Sequence, residues 1–258
     1  MKTPINQIFA SWTNGVCHRG LHDLERPENS KAAFENAIEH GLPFECDINL
    51  TKDHRFIVNH DGTLLRVTGK EGNIRDLTVE EIQRDYKLFD GSHLITLEEL
   101  MDLWDYKVPL VLELKVQEGQ VEDIIKYVKP TLEAIKDKSK IVLISFNGEV
   151  LKGLKDTEIN IGRLYGKKEW NNKGSVNPDD YDFIDSEVRL SILSKEVRKW
   201  HKEGKLILTW TITNKFRANL SKKYAEAMTF ELIDSSKPLE GQKVNKYLEN
   251  HIKTAANK

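Results

Sequence analysis

The chain has 258 residues, 39% hydrophobic and 31% charged, a globular mixture with material for a sizeable core and no bias toward disorder. Lys and Arg total 39 against 41 for Asp and Glu, so there is no strong positive field to attract nucleic acid, and any anion must be recognised by a few local side chains. No run of about eighteen apolar residues is present to span a bilayer, and the amino-terminal MKTPINQIFASWTNG lacks the apolar stretch of a signal peptide, which reads as a cytoplasmic protein.

The first apolar run, Val16-Cys17, ends in His18-Arg19-Gly20. A loop with Pro27, Glu28 and Asn29 follows, and Ser30 is placed to cap a helix KAAFENAIEH whose Ala33, Phe34, Ala37 and Ile38 form one apolar face. Gly41 stops it. Residues 44–61 read FECDINLTKDHRFIVNHD; Phe44, Cys46, Ile48 and Leu50 alternate with Glu45, Asp47 and Asn49, the period of a β-strand. Glu45 and Asp47 therefore project side by side. Two carboxylates that close repel unless a cation lies between them; the alternative is an edge strand with its polar face in water. Cys17 and Cys46 match no zinc or redox spacing and read as small buried hydrophobes, with a disulfide between neighbouring strands left open.

Residues 62–95 are far longer than the roughly 2 to 6 of a short βα loop and are expected as a compact insertion after the second strand that shapes substrate access. Thr78 with Glu81, and Thr96 with Glu99, carry capping-box spacing. Beyond a helix over Leu97–Trp104, VPLVLELK is a near-continuous apolar run, as in a strand buried on both faces, with Glu113 and Lys115 at its end. Residues 141–144 lead to Ser145-Phe146, a weaker strand pattern covers 159–165, Phe183-Ile184 ends in Asp185, and 206–208 end in Thr209-Trp210-Thr211. A helical pattern covers 193–202, a last short strand is expected over Ala227–Phe230, and Val244, Tyr247, Leu248 and Ile252 line one side of a terminal helix.

Strands alternating with crossover helices argue for a parallel sheet. With a length near the roughly 250 residues of a (β/α)8 TIM barrel, the expectation is an α/β fold and one such domain over residues 1–258. In a parallel barrel the carboxyl ends of the strands meet at one mouth, and the polar residues collect at those ends: His18 and Arg19, Glu45 and Asp47, Glu113 and Lys115, then Ser145, Asp185 and Trp210. Glu45, Asp47 and Glu113 offer hard oxygen ligands that suit Mg²⁺ or Ca²⁺ rather than zinc. Arg19 and Lys115 beside them could neutralise a phosphate, or could form structural ion pairs with the acids. His18 and His60 flank this cluster, placed for one to accept a proton from an attacking oxygen and the other to protonate a leaving alkoxide.

These residues lie in ordered pieces: HRG at 18–20, PENS at 27–30, ECD at 45–47, HDGTLLRVTG at 60–69, DLT at 76–78, ITLEEL at 95–100 and LELK at 112–115. In that order the chain resembles the glycerophosphodiester phosphodiesterase family over roughly its first half. The resemblance implies a barrel enzyme that cleaves glycerophosphodiesters to glycerol 3-phosphate and an alcohol with a divalent metal. It would place catalytic histidines at His18 and His60, metal carboxylates at Glu45, Asp47 and Glu113, and phosphate contacts at Arg19 and Lys115. It further implies attack by the substrate's own 2-hydroxyl, giving a cyclic phosphate that water opens. Trp210 resembles the family's seventh-strand tryptophan and is expected either to wall the alcohol pocket or to pack in the core. Where relatives end with an aspartate-containing strand and a proline, this chain reads MTFELIDSSKP over 228–238, a departure.

Three rivals remain. A barrel phosphodiesterase of phospholipase type, acting on intact phospholipids, would need an apolar loop surface, and none is evident in the sequence. A metalloenzyme abstracting a proton beside a carboxylate would not need both His18 and His60. A non-catalytic phosphodiester-binding protein would not need the full reactive set. Head group, Mg²⁺ against Ca²⁺, and oligomeric state are not distinguished by the sequence.

Overall fold

The computed structural model describes residues 2–12, 14–237 and 239–255. Pro238, part of the departure in the last strand region, lies outside the described residues, as do 256–258. Among the described residues, nine strands form one sheet: β1 Val16–Cys17, β2 Phe44–Leu50, β3 Phe56–Val58, β4 Leu110–Leu114, β5 Ile141–Ser145, β6 Asn160–Tyr165, β7 Phe183–Glu187, β8 Leu206–Ile212 and β9 Ala227–Phe230. All but β3 run parallel, and β9 pairs back with β1 through Cys17 opposite Phe230, so the sheet closes into a TIM barrel with helices between its strands. The alternating apolar runs had predicted this. β3 is an addition: it folds back antiparallel on β2, with Ile48 opposite Val58.

All seven residues of β2 are buried, which removes the edge-strand alternative. Phe44, Cys46, Ile48 and Leu50 pack outward into the main core with Phe34, Trp104 and Leu112, so Glu45 and Asp47 on the opposite face of the strand turn into the barrel. β4 is apolar throughout because both its faces are covered: Leu110, Leu112 and Leu114 face the helices, and Val111 joins the inner cluster with Val142, Ile144, Leu164, Phe183 and Leu208. Each such fully buried side chain contributes roughly 1.5–3 kcal/mol of transfer free energy. A short helix, Ile5–Ala10, closes this inner core, with the Phe9 ring 4.7 Å from Trp12 and 5.1 Å edge-on from Phe183. The sequence pattern had not signalled it. Cys17 and Cys46 are free and buried, so the disulfide alternative is not formed.

Residues 62–95 carry a helical turn at Leu65–Thr68, a 3₁₀ turn at Ile74–Asp76 and a helix at Val79–Asp85, gathered on a small cluster that includes Leu64, Ile74, Ile82 and Tyr86. Both capping boxes form: Thr78 and Thr96 each accept from the backbone of the glutamate three residues on, which in turn accepts from their N–H groups at 2.8 Å. The helical pattern over 193–202 resolves into two helices, Val188–Leu193 and Lys195–Lys202, because Ser194 caps the second through Val197 N. The terminal helix, Lys246–Ala255, begins after Val244 and buries Leu248 and Ile252. Among the described residues no helix is long and apolar enough to cross a membrane.

Candidate active site

β1 delivers His18 and Arg19 to the mouth and then turns sharply. Arg19 takes a left-handed conformation (φ 55°), and Gly20 follows at φ 80°, where a Cβ would stand 2.8 Å from that of Ala33. Only glycine meets both demands. The turn lets Arg19 N donate to Glu45 Oε2 at 2.9 Å, while Asn29 N donates to the Arg19 carbonyl at 2.9 Å. Asn29 Nδ2 then donates to Asp47 Oδ2 at 2.8 Å, so the loop before Ser30 clamps the second strand's acid in place.

In the parallel register of β2 and β4, Asp47 lies opposite Glu113. One oxygen from each of Glu45, Asp47 and Glu113 lies within 4.8 Å of the other two. Lys115 Nζ sits 3.0 Å from Asp47 Oδ1 and 2.7 Å from Glu113 Oε1, and Arg19 Nε lies 3.6 Å from Asp47. Structural ion pairs thus account for two of the three acids. Burial alone would raise Asp47, but Lys115, His60 and Arg19 hold it well below the usual carboxylate range. Glu45 goes the other way: burial, then the charges of Asp47 and Glu113, push it well above that range despite the Arg19 N–H. Its Oε1 is buried with no hydrogen-bond partner. A buried carboxylate oxygen facing two further acids fits a hard divalent cation better than another organic cation, for no Lys or Arg among the described residues bonds it.

Each histidine is aimed by a carboxylate. His18 Nδ1 pairs with Glu231 Oε1, just past β9, and His18 Nε2 lies 3.9 Å from Glu45 Oε2. Burial would raise Glu231, but His18, His22 and the Ser235 hydroxyl, which donates to it at 2.6 Å, hold it well below the usual range. His60 Nδ1 lies 2.7 Å from Asp61 Oδ1. Asp61 is gripped in turn by Arg66 at 2.6 Å, Arg66 forks onto Glu28 with two bonds of 2.8 Å, and Glu28 accepts from Arg19 at 2.8 Å. Arg19 also donates to the Ser235 hydroxyl at 3.3 Å, and through Glu231 the chain reaches His18. With Nδ1 assigned as donor by its carboxylate partner in each ring, Nε2 is left for chemistry. Burial lowers the proton affinity of His60; Asp47 and Asp61 oppose that, and Lys115 and Arg19 add to it.

His18, Arg19, Glu45, His60, Glu113, Lys115 and Trp210 line one cavity of ≈140 Å³, and Asp47 touches its Arg19 and Lys115 from below. Trp210 stands on the wall, its Nε1 donating to the Asp185 carbonyl at 3.2 Å and its ring edge-on to Phe146 at 5.9 Å. Ser145 turns away and donates to the Leu114 carbonyl at 2.7 Å. Sequence reasoning had missed Glu231, Asp61, Glu28, Asn29 and Arg66. Glu28 and Asn29 were visible only as letters of a motif, and Glu231 lay inside a stretch noted for its departure. The loops are also less polar than the sequence suggested: Phe89 and Leu239 are exposed and border a groove of ≈740 Å³ together with Leu88, Ile233, Lys87 and Lys237.

The sequence model of the glycerophosphoryl diester phosphodiesterase family matches residues 18–237, from the first histidine to beyond Glu231. The chain belongs to this family. A glycerophosphodiester phosphodiesterase of Caldanaerobacter subterraneus subsp. tengcongensis is 35% identical over 164 residues, 58% of this chain and 65% of that protein. One from Bacillus altitudinis is 30% identical over 144 residues, 52% and 58% of the two. The match therefore spans less than two thirds of the length of these curated relatives. Among solved structures, an Oleispira antarctica phosphodiesterase in complex with sn-glycerol-3-phosphate superposes with a TM-score of 0.77 over 97% of this chain and 99% of that one, at 20% identity. At that identity the likeness concerns the barrel alone.

Proposed function

We propose that the chain is a divalent-metal-dependent phosphodiesterase that hydrolyses glycerophosphodiesters to glycerol 3-phosphate and an alcohol, as one unit in which residues 62–95 border the way in. The observation that carries this is the convergence of two carboxylate-aimed imidazoles, three clustered acids and two cations on one small cavity. Membership of the family supports it independently.

Glu45, Asp47 and Glu113 would hold Mg²⁺ or Ca²⁺, which when bound supplies a Lewis acid against the charge of a phosphoryl oxygen. Arg19 and Lys115 neutralise and orient the phosphate. His60, kept neutral by burial, takes the proton of the substrate's 2-hydroxyl at Nε2 as that oxygen bonds to phosphorus. The ester bond to the alcohol breaks, and His18 gives the departing oxygen a proton from Nε2. Its positive charge beforehand is offset by Glu231. Water then opens the cyclic phosphate with the roles exchanged: His18 takes the proton of water and His60 returns its own to the 2-oxygen. Holding the attacking oxygen within the same molecule removes an entropic cost worth several kcal/mol, of the roughly 7–11 kcal/mol available to well-oriented reactants.

The apolar groove bordered by Phe89 and Leu239 favours a second reading, a phospholipase-type enzyme that accepts an acyl-bearing substrate. Phosphorus NMR of the products decides between them. Glycerophosphocholine, glycerophosphoethanolamine and glycerophosphoglycerol should yield glycerol 3-phosphate with Mg²⁺ or Ca²⁺ added. Turnover confined to lysophospholipids would favour the second reading, and no turnover of any diester would refute both.

A further inference from the structure

Among the described residues, Asp185 on β7 is the one acid lining this cavity for which the reaction above has no use. Its neighbours in register are Leu164 on β6 and Leu208 on β8, and it lines the cavity beside Ile144, Leu164 and Trp210. It is 2% exposed. The other acids here have partners: Asp47 and Glu113 have Lys115, Glu231 has His18 and Ser235, and Glu45 has Arg19 N together with the metal cluster. No cation pairs with Asp185 among the described residues, it lies outside the three-acid cluster, and its Oδ1 has no hydrogen-bond partner. Burying a carboxyl without satisfying its hydrogen bonds opposes folding unless something else meets it. Burial, then the charge of Glu113, pushes its pKa well above the usual range.

The shape of the site indicates what it would bind. The cavity's ≈140 Å³ corresponds to on the order of five waters, too little to take a large head group beside the phosphate. A wider recess of ≈340 Å³ adjoins it, sharing His60, Glu113, Lys115 and Phe146, and is lined by Gln117, Asn147 and Lys168. The variable alcohol has room there. The constant half of the substrate belongs in the small pocket, where Thr211, Thr229 and Asp185 supply polar atoms.

We propose that Asp185 is a specificity-determining residue whose carboxyl hydrogen-bonds the terminal hydroxyl of the substrate's glycerol half, selecting glycerol diesters over diesters of diols that lack that group. This rests on the phosphodiesterase reading. A polar group buried to meet a substrate hydroxyl discriminates strongly, because without that hydroxyl it is left unpaired.

The test compares kcat/KM for glycerophosphoethanolamine with that for its analogue in which the terminal CH₂OH is CH₃ and the 2-hydroxyl remains, using the full chain with Mg²⁺. The unaltered chain should prefer the glycerol diester by about 10²-fold or more. Asp185→Asn, which still donates and accepts, should keep most of that preference. Asp185→Leu should lose it, the ratio falling to within a few-fold of one, and should melt no lower than the unaltered chain, since an unpartnered carboxyl is removed. An undiminished ratio in Asp185→Leu overturns the inference, and so does a variant that melts much lower or does not fold, which would make the residue structural. Equal turnover of both diesters by the unaltered chain sinks this inference alone; turnover of neither sinks the phosphodiesterase reading.

Discussion

His18 and His60 do opposite jobs in the proposed reaction, and their surroundings differ to match. Replacing either with Ala should lower turnover by roughly 10²-fold or more while the chain still folds cooperatively, and near-normal turnover in either variant would remove that residue from the chemistry. Glu231→Gln keeps the shape but removes the charge beside His18; kcat should fall about 10-fold or more with KM little affected. A change confined to KM would assign Glu231 to binding instead. Glu113 gives a pH signature. Burial pushes it up to about 7, with Lys115 pulling it down and Asp47 pushing it further up. The folded chain therefore holds a proton there that the unfolded chain loses near pH 4.3. The metal-free protein should lose stability as pH rises from that value through about 7. A divalent cation must displace that proton, so calorimetric affinity for Mg²⁺ or Ca²⁺ should climb across the same window; a flat profile would contradict the assignment.

At the scale of elements, the strand register does the positioning. Asp47 meets Glu113 because β2 and β4 are parallel neighbours, and the turn after β1 brings Arg19 N to Glu45. Gly20→Ala should disturb this without touching a reactive group: its Cβ would crowd Ala33 at a left-handed φ, costing on the order of 1–3 kcal/mol in a denaturant melt and lowering activity with it. An Ala variant with unchanged stability would show that the turn relaxes freely. The strands that carry His18, Glu45, Asp47 and Glu113 were legible in the sequence because period-two and continuous apolar runs are local signals, and both capping boxes were legible for the same reason. Glu231, Asp61 and Arg66 were not, because their importance lies in contacts with His18, His60 and Glu28 that only closure of the barrel creates. The helix Ile5–Ala10 escaped notice because six residues are too short to display a period. β3 escaped because only pairing with Ile48, Asn49 and Leu50 distinguishes it from a loop.

The whole molecule is a closed barrel whose inner core, sealed by Phe9 and Trp12, is apolar, while its mouth concentrates buried charge. Among the described residues Glu45 Oε1 has no hydrogen-bond partner, so a bound dication should stabilise the folded chain by mass action and raise its melting temperature with concentration. The central claim, that an ion and two imidazoles act together on one phosphorus, is tested most directly by measuring glycerol 3-phosphate release from glycerophosphoglycerol for the unaltered chain and its two histidine variants. The assay is run after chelation and again after Mg²⁺ or Ca²⁺ is restored. The account predicts release that a chelator abolishes and the metal restores in the unaltered chain, and that in both variants stays at least about 10²-fold below the metal-restored rate under every condition. Release that survives chelation, or that either variant sustains at the unaltered rate, would contradict it.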